Sequence, residues 1–325
     1  MHYVTLFTLG GTIASQVDPS TGAARPVLSG ADLVGSLQMP QEIDLRVVEE
    51  AQVGGSQVTP EMVLALAGRI GTTLADPECL GAMVTQGTDG VEETAYMLDL
   101  LIQQDKPIVH AAAMRNNSEL GADGPRNLQS ALRVAVSQEA VGHGVLVVLN
   151  DTIFAASEVV KMHTVNPASF AAPGRGPLGV VTRQKPVFFH RTLTRQHIPT
   201  AKLAQNVPIV HTTLGMPGDL IEAVMEKGAQ GLVVEAAGAG NVAESAMPAL
   251  LHAVAMGLPV VLTSSAIEGY VDDVYGYPGG GYLLRQAGVI LGQGLTAAKA
   301  RLKLMIALGA GKSLAEIRDL FEYLY

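Results

Sequence analysis

The sequence is short of the features that would tie it to several common classes of protein. Its 325 residues include a single cysteine, Cys79, so no intrachain disulfide can form. No run of Lys or Arg stands out and the formal net charge is −9, which argues against nucleic acid or an anionic membrane as a partner. The apolar runs fall well short of the roughly 18 residues that suggest a membrane span. The eight histidines show no metal-ligand spacing, so we expect no metal or other cofactor.

What remains is a large supply of apolar residues. The chain is 48% hydrophobic and only 16% charged, which predicts a substantial core and argues against disorder. At roughly 100–200 residues per domain, its length suggests two domains. Met1 is followed almost at once by a strand-like run, without the basic region and cleavage site of a signal peptide. We therefore expect a cytoplasmic protein.

Short apolar runs alternate with helix-like stretches along the chain. The runs are rich in Val, Leu and Ile without polar alternation, which is typical of strands buried on both faces. This order predicts an α/β fold, with a doubly wound, mostly parallel sheet in a large N-terminal domain and a smaller α/β C-terminal domain. The predicted strands are Tyr3–Leu9, Met83–Gln86, Pro107–Ala112, Val145–Leu149, Val207–His211, Gly231–Ala236 and Pro259–Thr263, and the clearest helices are Glu92–Gln104 and Leu220–Lys227.

One segment breaks this alternation and separates the two predicted domains. It carries Arg191, Arg195, His197 and Lys202 with little apolar periodicity. We predict a larger domain over residues 1–189, a linker over 190–206 and a smaller domain over 207–325.

Two loops present a threonine directly after glycine, each following a predicted strand. They are Gly10-Gly11-Thr12 and Gln86-Gly87-Thr88-Asp89. Sites in doubly wound sheets lie beyond the carboxyl ends of the strands, and glycine lets a substrate approach the backbone closely. A purely structural interpretation is also open: a tight turn in the first loop, and in the second a capping box with Asp89 at the N-cap and Glu92 at N3.

The two loops are the first in a series of motifs that spans nearly the whole chain. The motifs are Thr8–Ala14, Thr85–Ala95, Lys106–Val109, Ala113–Arg115, Ala122–Pro125, Leu149–Asp151, Val160-Lys161 and Gly176–Gly179. Together they resemble the signatures of bacterial-type L-asparaginases, and their number and order are more specific than any single motif. The resemblance implies an amidohydrolase that converts L-asparagine to L-aspartate and ammonia through a threonine-linked acyl-enzyme. A glutaminase-asparaginase or another amidase of the family is the alternative.

The resemblance implies catalytic roles for four residues. Thr12 would be the nucleophile, and Thr88, Asp89 and Lys161 would surround the scissile amide. A threonine hydroxyl is a weak nucleophile that needs a base, and a desolvated lysine can serve as one. Lys161 follows two valines, which predicts partial burial; an isolated lysine in this setting could equally extend its head group to solvent.

The resemblance also implies a substrate-binding set and an assembly. Ser56 and Gln57 would hold the amino-acid head of the substrate together with Asp89. The backbone carbonyl of Ala113 would receive the amide nitrogen, and Asn241 would reach a neighbouring subunit's site. The implied assembly is a homotetramer built from two close dimers.

The sequence departs from the family pattern close to the predicted nucleophile. Many relatives carry a tyrosine in the mobile loop after the first motif, placed to activate the nucleophile. Residues 15–26 contain none, and Gln86 stands where a histidine is usual. Either Thr12 works without a tyrosine, or one is supplied by the glycine-rich segment 269–282, which contains Tyr270, Tyr275, Tyr277 and Tyr282.

Two other functions stay open at this level. The segment Gly238–Ala243 fits a dinucleotide-binding fingerprint, as in a Rossmann dehydrogenase, but the strand about 20 residues on ends at Ser264 without a carboxylate. A non-catalytic amino-acid-binding protein on the same scaffold is the second. The segment Gly309–Ser313 looks like half of a phosphate-binding loop, and we interpret it as a helix-to-helix turn.

Overall fold

The computed structural model describes residues 1–35, 37–193 and 195–322. The chain divides into two compact units, Met1–His197 and Ile198–Tyr325. The described residues between 189 and 208 form neither helix nor strand. The point of division lies inside the predicted linker, while the linker bounds 190 and 206 stay a prediction.

The larger unit consists of strands and helices that alternate over most of its length. Its helices are Gly30–Val34 (α1), Pro60–Leu74 (α2), Val91–Leu101 (α3) and Gly124–Ala135 (α4). Its strands are His2–Gly10 (β1), Ser15–Val17 (β2), Ala24–Pro26 (β3), Ile43–Val53 (β4), Cys79–Thr85 (β5), Ile108–Ala111 (β6), Val145–Leu149 (β7), Thr152–Ala155 (β8), Val160–Lys161 (β9), Phe170–Ala171 (β10), Gly179–Val181 (β11) and Pro186–Phe188 (β12).

One eight-stranded sheet forms the centre of the larger unit, in the order β12-β11-β8-β7-β6-β5-β1-β4. The strands from β4 to β7 in this order are parallel, and β8, β11 and β12 add an antiparallel edge. The predicted α/β fold with a mostly parallel sheet is therefore confirmed, while the antiparallel edge and β4 were not predicted.

Burial explains why the central strands read as continuous apolar runs. Eight of the nine residues of β1 are buried, so both of its faces are covered. On one face, Leu6, Met83 and Val109 belong to the apolar core that contains the buried face of α4. Cys79, the first residue of β5, is also buried, and burial raises the pKa of its thiol.

The smaller unit is also built from β-strands and α-helices. Its four-stranded parallel sheet has the order β13-β14-β15-β16. The strands are Ile209–His211 (β13), Leu232–Ala236 (β14), Val260–Ser264 (β15) and Ile290–Leu291 (β16), and the helices are Asp219–Glu226 (α5), Met247–Ala255 (α6), Gly281–Ala287 (α7), Ala297–Gly309 (α8) and Leu314–Glu322 (α9).

Two glycine motifs in the smaller unit have structural roles. Helix α8 ends at Gly309 and α9 begins at Leu314, with Gly311 at φ +71° between them, so the predicted helix-to-helix turn is confirmed. After β14, Ala237 pairs with Asn241 across a closed turn, and α6 begins only at Met247. A dinucleotide fingerprint needs its helix to start at the glycines, where its N-terminus can face the pyrophosphate.

None of the described helices is long and apolar enough to cross a membrane.

Candidate active site

The candidate site lies at one edge of the large sheet, where its parallel strands end. Strand β1 ends at Gly10, and both Gly10 and Gly11 have positive φ, at +95° and +79°. Such values favour glycine, because a side chain there is strained. The chain then makes one turn of 3-10 helix over Thr12–Ala14, closed by the Ser15 hydroxyl, which donates to the Gly11 carbonyl at 2.8 Å. Thr12 thus lies directly beyond the carboxyl end of β1.

Three loops meet here through glycines that touch each other. A Cβ on Gly11 would overlap the backbone of Gly87, and one on Gly87 would lie 2.6 Å from the Cα and N of Gly55. No side chain fits at Gly11 or Gly87, so these positions require glycine. The contacts bring the turn that carries Thr12 against the turns Thr88–Gly90 and Gly55–Gln57. Ser56 and Gln57 are exposed there, and Thr12 is partly exposed.

Thr88, Asp89 and Lys161 form a connected polar group. The Lys161 Nζ donates to Thr88 Oγ1 at 3.0 Å and to Asp89 Oδ1 at 2.7 Å. Thr88 is buried, the Lys161 side chain is 20% exposed, and that of Asp89 is 66% exposed. Lys161 therefore points into the protein, as its apolar neighbours predict, and does not extend its head group to solvent. Since the Thr88 oxygen accepts from Nζ, its own hydroxyl proton is free to be donated elsewhere.

The predicted capping box at Asp89 is wrong. The chain makes a 3-10 turn over Thr88–Gly90, and α3 begins at Val91 with Gly90 as its N-cap and no side-chain cap. Asp89 is therefore left to pair with Lys161. Glu92, the expected partner in the box, instead accepts the backbone N–H of Lys161 at 3.0 Å. Glu92 was missed as part of the site because its interaction joins residues 69 positions apart.

Ala113 lies in the loop that follows β6 and is fully buried. Its Cβ and the side chain of Ile13, the residue after Thr12, both lie beside Gly124 at the start of α4. The turn that carries Thr12 and the loop that carries Ala113 are thus neighbours. Asn241 belongs to the smaller unit, where its Oδ1 accepts the N–H of Gly281 at 3.3 Å. Its role toward a neighbouring subunit stays a prediction.

The segment 15–26 is a hairpin, with its turn residues between two short strands. Strand β2 pairs with β3, and Asp18 organises the turn by accepting from the N–H and hydroxyl of Ser20. These hydrogen bonds lower the pKa of Asp18. The tyrosines proposed to replace the missing one are 44% to 50% exposed in the smaller unit, and their role stays a prediction: Tyr270, Tyr275, Tyr277 and Tyr282.

Comparison with known proteins agrees with this geometry. The family described as "Asparaginase, N-terminal" matches residues 3–195, and the "Glutaminase/Asparaginase C-terminal domain" matches residues 206–321. The chain belongs to the asparaginase family. Its members are amidohydrolases, and in this asparaginase-family chain the two glycine–threonine loops and Lys161 lie within the N-terminal match.

Individual relatives cover the chain almost end to end. An L-asparaginase of Bacillus licheniformis is 35% identical, over 98% of this chain and 99% of that protein. A glutaminase-asparaginase of Acinetobacter glutaminasificans is 31% identical, over 98% of each chain. The crystal structure of a probable cytoplasmic L-asparaginase from Campylobacter jejuni superposes with a TM-score of 0.88 at 30% identity, covering 99% of both chains. The fold and both units are therefore shared with the asparaginase family.

Proposed function

We propose that this protein hydrolyses the side-chain amide of L-asparagine to give L-aspartate and ammonia. The observation that carries the proposal is the hydrogen-bonded group of Thr88, Asp89 and Lys161, held against the turn of Thr12 by the contact between Gly11 and Gly87. This arrangement supports Thr12 as the hydroxyl nucleophile and Lys161 as the group that takes part in proton transfer. The names of the relatives, which include L-asparaginases and a glutaminase-asparaginase, support the choice of substrate.

The proposed reaction is acyl transfer in two steps. The Thr12 Oγ1 attacks the amide carbon, and its proton passes toward Thr88 and Lys161. That proton is then delivered to the amide nitrogen, so that the C–N bond breaks and ammonia leaves. Water then attacks the threonine ester and releases L-aspartate. Main-chain N–H groups of the glycine turns are suited to hold the oxyanion. The exposed carboxylate of Asp89, with Ser56 and Gln57, would bind the ammonium and carboxylate groups of the substrate.

The preference for asparagine over glutamine follows from chain length. A pocket fitted to one side chain discriminates against an added methylene by about 1–3 kcal/mol, so we expect slower turnover of glutamine. The described residues contain no cluster of three or more His, Cys, Asp or Glu side chains that could hold a metal ion. We accordingly expect activity without added metal.

An ammonia-release assay tests the proposal directly. The purified protein is incubated with L-asparagine, L-glutamine and D-asparagine, with and without a chelator, beside a Thr12→Ala variant. We expect release from L-asparagine that survives the chelator and is abolished in the variant. Loss of activity with the chelator and recovery with zinc would contradict the mechanism. Binding of asparagine without ammonia release would favour the amino-acid-binding alternative.

The assembly and location are part of the same proposal. We infer a homotetramer of two close dimers, in which Asn241 approaches a neighbouring subunit's site. Half-exposed aromatic side chains of the smaller unit, such as Tyr275 and Tyr277, support an interface there, because aromatic residues are enriched in buried contacts. A cytoplasmic location is supported by the name of the Campylobacter jejuni protein.

A further inference from the structure

The turn that carries Thr12 is held from outside by a hydrogen bond. Within the turn, the N–H of Ala14 and the hydroxyl of Ser15 both donate to the Gly11 carbonyl. The carbonyl of Ile13, the residue next to Thr12, accepts instead from the side-chain Nδ2 of Asn117 at 2.6 Å. The backbone N–H of Asn117 also donates to the Ser15 carbonyl at 3.0 Å. One residue thus contacts the turn at its middle residue and at the residue that follows it.

Asn117 sits in a segment that is itself fixed. Glu119 accepts from both the N–H and the Nδ2 of Asn116, at 3.1 and 2.6 Å, which closes a tight turn around Asn117. Farther along, Asp123 accepts the N–H groups of Met114 and Arg115, at 3.1 and 2.9 Å. A partner held in this way loses little conformational freedom when it binds the Thr12 turn.

The same segment also fixes the loop of Ala113. On one side of Ala113, the buried Nδ2 of Asn127 donates to the Ala112 carbonyl at 2.9 Å. On the other side, the N–H of Met114 donates to Asp123, which also accepts from Asn127 at 3.0 Å. The turn of Thr12, the proposed nucleophile, and the loop of Ala113, the proposed acceptor of the amide nitrogen, are therefore both hydrogen-bonded to one segment of the chain.

The side chain of Ile13 packs in the core of the larger unit, and open space lies beside it. A cavity of about 380 Å³ lies there, lined by Ile13, Gln16, Leu28, Asn117 and Leu128 among others. An empty space has no partner atoms to hold a side chain in position. The hydrogen bond from Asn117 adds to this packing a directional contact at the Ile13 carbonyl, next to Thr12.

We propose that Asn117 is a positioning residue that sets the orientation of the Thr12 hydroxyl through the carbonyl of Ile13. The inference rests on the proposed function, in which Thr12 is the nucleophile. Asn117 touches no reacting atom in this scheme, so its loss should slow attack on the amide and leave substrate binding to Ser56, Gln57 and Asp89. A misplacement of about 1 Å can cost about 10²-fold in rate.

The decisive variant is Asn117→Asp, which keeps the shape and backbone bond but places an oxygen against the Ile13 carbonyl. We expect kcat for L-asparagine to fall by at least about tenfold. KM and the inhibition constant of the product L-aspartate should stay within about threefold, and the thermal midpoint should stay near that of the wild type. Should this variant fail to fold, Asn117→Ser, whose side chain is too short to reach Ile13, takes its place with the same expectation.

The matched control is Ser118→Ala in the same segment. It removes the acceptor for the N–H of Val17 in the hairpin, a 3.0 Å bond that does not involve the Thr12 turn, and kcat should stay within about twofold. A kcat near wild type in the Asn117 variants would overturn the inference while the proposed function stands. An equal loss of L-aspartate binding would also overturn it, because positioning of the nucleophile alone leaves binding intact. Failure of the wild-type protein to release ammonia would overturn the proposed function itself.

Discussion

At the scale of single residues, Lys161 joins the two halves of the proposed chemistry. Its Nζ contacts a buried hydroxyl on one side and an exposed carboxylate on the other. In the proposed reaction this amine would give and receive a proton.

Replacement of Lys161 by methionine tests this role. Lys161→Met keeps an unbranched apolar stem and removes the amine, so kcat should fall by at least about 10²-fold, the low end for acid–base catalysis. Circular dichroism and the thermal midpoint should show a folded protein. A kcat near wild type would mean that the amine takes no part in proton transfer.

Glu92 supports a second prediction at this scale. Its carboxylate holds the backbone of Lys161 at 3.0 Å, and an amide oxygen can accept the same hydrogen bond. We therefore expect Glu92→Ala to lower kcat roughly tenfold and Glu92→Gln to restore most of it. Steady-state kinetics on both variants decides the point. Equal losses in the two would assign the effect to the negative charge of Glu92 and not to its acceptor oxygen.

At the scale of elements, buried parallel strands were predicted well and the edges were not. Strand β7 has its predicted bounds, Val145–Leu149, because all five residues are apolar and buried. Strand β4 was missed, since an edge strand alternates exposed and partly buried residues and lacks a continuous apolar run. The capping box at Asp89 failed for a different reason. A lysine 72 residues away competes for that carboxylate, and local sequence cannot reveal this.

Strand β6 carries a buried histidine that should make the protein sensitive to acid. Burial lowers the pKa of His110 to about 3, and neither ring nitrogen has a partner within the described residues. The unfolded chain takes up a proton below about pH 6.5, but the folded chain does so only near the lowered value. The stability that this neutral ring contributes is thus fully present above about pH 6.5 and is lost as the pH falls toward 3.

The effect can be measured by urea unfolding between pH 7 and 4. His110→Leu should reduce the fall in the free energy of unfolding by up to about 1.4 kcal/mol per pH unit, the amount for one proton. His2→Leu is the control, because His2 is exposed and its ring is not buried on folding. If both variants follow the wild-type curve, protonation of His110 does not govern the response to acid.

At the scale of the whole molecule, the sequence predicted two α/β units and the family. Several motifs in a fixed order carried that prediction, and those that contain Thr12 and Thr88 form loops at the same sheet edge. What the sequence could not reveal is how the loops touch. The contact of Gly11, Gly55 and Gly87 joins three distant segments, and only the folded backbone displays it.

The assembly is the prediction that belongs to this scale. If Asn241 completes a neighbouring subunit's site, activity requires the oligomer. Size-exclusion chromatography with light scattering should give the mass of four chains of 33.8 kDa. Specific activity should fall on dilution when the assembly dissociates. A monomer with full activity at assay concentration would contradict the proposed tetramer.

The single thiol, buried at the start of β5, has a practical consequence. Thiolates react with alkylating reagents, and the burial that raises the pKa of Cys79 also hides its sulfur from them. The folded protein should therefore not react with such a reagent, whereas a molecule in which the larger unit has unfolded should be alkylated once, at Cys79. The rate of Cys79 alkylation, followed by mass spectrometry, would measure how often the larger unit unfolds in the wild-type chain.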